Sequence, residues 1–125
     1  LIALGHMDKI ALDTRTLLLE EGIEACVIDP VFIKPLDEAL LLEKFQESHL
    51  IVTIEEHALQ GGLGSIINHF IMQKGLSHLK VVNIGIPDTF IEHGSHRHLL
   101  EKFGITPEAI AKQVLEKMPK PDLAL

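Results

Sequence analysis

HLIVTIEEHALQGGLGS, residues 49–65, decides how this chain is read. Residues 49–54 form a continuous apolar run, the pattern of a strand covered on both faces, as in a parallel sheet. Beyond the glycines, Leu63, Ile66, Ile67, Phe70 and Ile71 recur at helical spacing. The stretch therefore reads as strand, tight turn, helix. Its middle holds Glu55, Glu56, His57, Gly61, Gly62, Gly64 and Ser65. Those residue types suit an active-site loop, a phosphate cradle or a sterically required turn.

Motif spacing narrows the choice. Gly62-Leu63-Gly64 is a G-x-G, but Ile67 stands where a dinucleotide fingerprint needs its third glycine. No Gly-Lys-Ser/Thr follows, so the stretch is not a P-loop. Free N–H groups at the helix start could bind an anion, or the glycines could allow close backbone packing. The packed turn is the favoured reading. Glu55 and Glu56 point to opposite faces of a strand and do not form a ready acid/base pair. His57 could act as an acid or base, but a hydrogen-bonding loop role is the simpler expectation.

Working outward, LIAL (1–4) is strand-like and stops at Gly5. Met7, Ile10, Ala11, Thr14, Leu17 and Leu18 then follow helical spacing, with Gly22 as the stop. EACVID (24–29) reads as a second strand ended by Pro30. Asp37 is a helix cap, with Leu36 and Leu41 at the staple positions. LKVVNIG (79–85) is the fourth strand, followed by the loop IPDTFIEHG. Ser95 caps a short helix running to Phe103, and Gly104 stops it. Thr106-Pro107-Glu108 starts the last helix, with Ile110, Val114, Leu115 and Met118 as its buried stripe. Pro119 and Pro121 end it, which predicts a domain over 1–118 and a loose tail over 119–125.

Strands alternating with helices predict a doubly wound α/β/α sandwich with right-handed crossovers. In such a sheet the loops at the carboxyl ends of the strands meet ligands and partners. Four loops occupy that edge: 5–7, 29–37, 55–65 and 85–94. The chain opens on Leu1 with strand character already present, which predicts a piece of a longer polypeptide.

The 125 residues are 46% hydrophobic, with five Phe and no Trp or Tyr. A core of aliphatic side chains is expected. The formal charge of −7 argues against nucleic acid and against an anionic membrane surface. No apolar run approaches a membrane span. Cys26 reads as a small buried hydrophobe, consistent with a reducing compartment. Of the eight histidines, His93, His96 and His98 lie closest together in sequence. His96 and His98 are two apart and cannot share a helical face, so no metal site is expected.

DPVFIKPLDEALLL, VTIEEHALQGGLGS, NIGIPDTFIEHGS and LLEKFGITPEAI form an ordered set along nearly the whole chain. Together they resemble the C-terminal domain of the thiamine-diphosphate-dependent transketolase superfamily. Within it the similarity is closest to the 1-deoxy-D-xylulose-5-phosphate synthases, a transferase family. Split transketolase subunits and 2-oxoacid dehydrogenase β subunits carry similar segments. The resemblance implies a mainly parallel sheet with strand order 2-1-3-4, preceded in the family by an antiparallel edge strand upstream of LIAL.

It also implies a parent enzyme that joins pyruvate to glyceraldehyde 3-phosphate, releasing carbon dioxide, to make 1-deoxyxylulose 5-phosphate. This product feeds isoprenoid, thiamine and pyridoxal synthesis. The family's upstream domains hold thiamine diphosphate and Mg2+, and the G-D-G plus Asn metal motif does not occur in this chain. No catalytic, cofactor-binding or metal residue is therefore expected here, and the fragment alone is expected to be inactive. Glu55, Glu56, His57, Gly61, Gly62, Gly64, Ser65, Asp88 and Phe90 become candidates for contacts with upstream domains of the same polypeptide or across a homodimer. The resemblance places the parent in the cytoplasm or a plastid-type organelle. Two positions depart from the synthase pattern, which often has Arg where Val31 and Thr89 stand.

Overall fold

A computed structural model describes residues 1–119. Its centre is the strand β2 (Leu50–Ala58), flanked by β1 (Ile2–Ala3) and β3 (Lys80–Ile86). Both neighbours run parallel to it, in the order β1-β2-β3. Ile2 pairs with Thr53, and Thr53 with Asn83. The register holds from Leu50–Lys80 to Ile54–Ile84, then shifts before Ala58–Ile86.

The helices are α1 (Asp8–Glu20), α2 (Glu38–Gln46), α3 (Leu63–Gln73), α4 (His96–Lys102) and α5 (Pro107–Lys117). A 3-10 turn, Gly5–Met7, joins β1 to α1. The expected caps are made: Asp37 accepts from Leu40 N–H, Ser95 from His98 N–H and Thr106 from Ala109 N–H. Each satisfies one of the N–H groups that a helix start leaves unpaired.

Alternation along β2 sends successive side chains to two cores. Val52 and Ile54 join Ala3, Met7, Ala11, Leu18, Ile110 and Val114 on the face covered by α1 and α5. Ile51 faces the other way, with Leu41, Phe45, Leu63, Ile67 and Phe70 from α2 and α3. This is the expected three-layer sandwich, and its cores are largely aliphatic.

Three local expectations need correction. The predicted strand 24–29 contributes only an isolated parallel bridge, Ile28 to Ile2. Its template is short. Ala3 N–H donates to Ile28 O at 3.0 Å and Ile28 N–H to Leu1 O at 2.8 Å, and β1 extends no further as a ladder. Thus the four-stranded order becomes a three-stranded sheet with one bridged edge. Cys26 lies on that edge and is exposed and free, not buried, because no neighbouring strand covers it. In α5, Leu115 is 42% exposed and Ala111 takes its place in the core. The expected tail lies outside the described residues from position 120 onward. Among the described residues, no helix is long and apolar enough to cross a membrane.

Candidate functional site

The strand expected to end at Ile54 continues through Glu55, Glu56, His57 and Ala58. Glu55 keeps the parity of Ile51 and Thr53, so its side chain turns toward α3. It is 1% exposed. Leu63 N–H donates to Glu55 Oε1 at 2.8 Å, and Gly64 N–H to Oε2 at 2.7 Å. A strand carboxylate thus caps α3 from outside the helix, where Gly62 at the cap position offers no side chain. Negative charge at a helix N-terminus is favourable, and charge-assisted bonds to backbone N–H groups are strong.

The glycines make this approach possible. A Cβ on Gly62 would lie 1.8 Å from Glu55 Oε1 and 2.9 Å from Ala58 O. On Gly64 it would lie 2.9 Å from Asn83 Oδ1 and 3.0 Å from Thr53 Oγ1. Those two side chains are themselves joined, with Thr53 Oγ1 donating to Asn83 Oδ1 at 2.8 Å. Gly61 N–H donates to Ser65 Oγ at 3.0 Å, and Ser65 Oγ donates to Leu59 O at 2.9 Å. The close contacts permitted by Gly62 and Gly64 are therefore made inside the chain. The helix start open to an anion in the sequence is filled by the protein's own carboxylate.

Glu56 faces the opposite side of β2. Its carboxylate meets His6 from the turn after β1 and His96 at the start of α4. His57 is exposed, and its Nδ1 donates to Ala58 O at 2.8 Å. Asp88 and Phe90 both lie exposed on the loop after β3, with Phe90 and Ile91 presenting apolar surface. Val31 and Phe32, on the loop 29–37, do the same at another strand end. Val31 also has φ 56°, the left-handed region that a β-branched residue rarely enters. The structure brings Glu55, Gly61, Gly62, Gly64 and Ser65 into one turn and leaves Asp88 and Phe90 on a separate loop.

One further pair lies at this edge. Burial raises the pKa of Asp8, at the start of α1, and the nearby carboxylate of Asp29 raises it further. Asp8 Oδ1 is buried without a hydrogen-bond partner. Neither Asp8 nor the His6–Glu56–His96 cluster stood out in the sequence, because parallel register brings together residues from distant segments.

Residues 1–110 match the transketolase C-terminal domain, and the chain belongs to that family. Among curated relatives, a 1-deoxy-D-xylulose-5-phosphate synthase of Halothermothrix orenii is 41% identical over 116 residues. The match covers 93% of this chain and 18% of the relative. The synthase of Symbiobacterium thermophilum is 42% identical over 113 residues, 90% of this chain and 17% of that protein. A solved split-gene transketolase, an inactive β4 tetramer, superposes with a TM-score of 0.83 at 36% identity. That match covers 92% of this chain and 37% of the other. The chain thus spans under a fifth of the length of these synthases.

Proposed function

We propose that the chain is the C-terminal domain of a 1-deoxy-D-xylulose-5-phosphate synthase. In this reading the parent condenses pyruvate with glyceraldehyde 3-phosphate, releasing carbon dioxide, in the cytoplasm or a plastid-type organelle. The observation that carries it is the 41% identity over 93% of this chain to a synthase of which the match covers 18%. The domain packs against upstream domains of the same polypeptide and supports a homodimer. Support for that role comes from Phe32, Phe90 and Ile91, large apolar side chains exposed on loops at one edge of the sheet.

Thiamine diphosphate and Mg2+ belong to the upstream domains in this reading. The residues present here do not fit the cofactor: the glycine-rich helix start, where a diphosphate would dock, has its Leu63 and Gly64 N–H groups bonded to Glu55. What this chain contributes is a rigid strand-to-helix turn and the loop edge around it, with no bond making of its own. A rival reading from another class, a free-standing interaction or anion-binding module with the glycine-rich turn opening its binding helix, loses its anion site for the same reason.

The split transketolase match favours a second reading, a C-terminal segment of a shorter two-domain subunit. The size of the native polypeptide separates the two. Antibody raised against this chain should detect, in source-cell extract, a protein of which the chain makes up about 18%. A protein of which it makes up about 37% supports the split subunit or a dehydrogenase β subunit instead. Formation of deoxyxylulose phosphate by the isolated chain would overturn the placement of catalysis upstream.

A further inference from the structure

We propose that His6, Glu56 and His96 form a binding site for a divalent transition metal of the zinc class. The three residues come from three separate elements: the 3-10 turn after β1, the distal part of β2 and the first residue of α4. They are 50 and 40 positions apart in sequence. Nevertheless both imidazoles present Nε2 to one carboxylate, His6 to Oε2 and His96 to Oε1 at 2.5 Å. The rings lie 5.9 Å apart, inclined at 50°. One ligand atom from each residue lies within 4.8 Å of the others.

Donor chemistry selects the metal. Two imidazole nitrogens and a carboxylate form the three-protein-ligand set of zinc sites that keep a fourth position open. Bonds of about 2.0–2.2 Å space tetrahedral ligands roughly 3.3 Å apart, so small side-chain rotations convert the hydrogen-bonded cluster into a coordination shell. Mg2+ and Ca2+, which favour oxygen, fit this set poorly. The site is reachable: the side chains of His6 and His96 are 69% and 61% exposed, while Glu56, at 24%, is held by the strand. A bound ion would tie the β1–α1 turn and the start of α4 to the central strand.

The test uses the metal-stripped chain titrated with Zn2+ by calorimetry and with Co2+ by visible absorption. One equivalent should bind, and Co2+ should give the intense d–d bands of a tetrahedral centre. His6→Ala and His96→Ala should each weaken Zn2+ binding at least tenfold and abolish the Co2+ bands. His93→Ala and His98→Ala, at neighbouring histidines outside the cluster, should leave both intact. Because His6 and His96 are exposed, their replacement spares the core, and circular dichroism checks the fold of each variant. No Zn2+ uptake by the parent chain, uptake unchanged in both cluster variants, or loss in the His93 or His98 variant would each overturn the site. The cluster would then be two imidazoles hydrogen-bonded to a carboxylate and nothing more.

Discussion

The carboxylate of Glu55 occupies the volume that a methyl group on Gly62 would need, since an added Cβ would lie 1.8 Å from Oε1. Gly62→Ala should therefore cost about 2–3 kcal/mol, the upper range for overpacking a tight site. Gly61→Ala, with φ 79° but no atom within 4 Å of the new Cβ, should cost less, roughly 1 kcal/mol. Urea unfolding of both variants gives the order. In a double-mutant cycle with Glu55→Ala, the Gly62→Ala cost should shrink, because the clash partner is gone. Additive costs would show that Ala58 O, not Glu55, is what Gly62 avoids.

Glu55→Ala removes the acceptor for two buried N–H groups and should destabilise the chain by roughly 3 kcal/mol. Added acetate should restore part of the lost Tm in this variant, whereas chloride at equal ionic strength should not. The parent, whose site is already filled, should show no acetate-specific gain. Equal responses in parent and variant would mean that the anion acts elsewhere.

Asp8 gives a pH-dependent prediction. Its pKa in the folded state is raised above the ordinary 3.8, first by burial and then by Asp29. The folded state therefore holds the proton more tightly, and stability from this group falls as pH rises upward from 3.8 through the folded value. Asp8→Asn removes the charge that burial disfavours. The variant should be more stable than the parent at neutral pH, with the gap closing as pH falls toward 3.8. Chemical denaturation across that range would show it, and a gap that widens on acidification would refute the assignment.

Val31 sits at φ 56°, with its N–H donating to Asp29 Oδ1 at 2.9 Å. Asn tolerates that backbone region far better than a β-branched residue. Val31→Asn should raise stability by about 1 kcal/mol. If Tm falls instead, the 67% exposed side chain of Val31 makes a contact worth more than the strain it causes.

Much of this fold could be read from local patterns. The caps Asp37, Ser95 and Thr106 and the stripe Leu63–Ile67–Phe70–Ile71 depend on residues within two or three turns, so sequence spacing reports them directly. The edge at 24–29 could not be read that way. An apolar run shows strand propensity, but its ladder depends on how much of β1 stands beside it, and the segment forms a bridge at Ile28 alone. The inward turn of Glu55 was half legible. Its parity with Ile51 and Thr53 set its face, but an acid at a buried position made sense only once the α3 N-terminus was known to lie against it. The meeting of His6, Glu56 and His96 follows from parallel strand order and helix placement, which no short window contains.

Glu55 also acts as a tethered competitor. Its carboxylate is joined by the backbone to the helix start it binds, only eight residues from Leu63. Such short linkage gives an effective local concentration on the order of millimolar or higher. A free phosphate or substrate carboxylate must match that concentration, and also displace a buried side chain, before it can bind. The turn thus carries its own permanent inhibitor, which keeps a ready-made anion site silent.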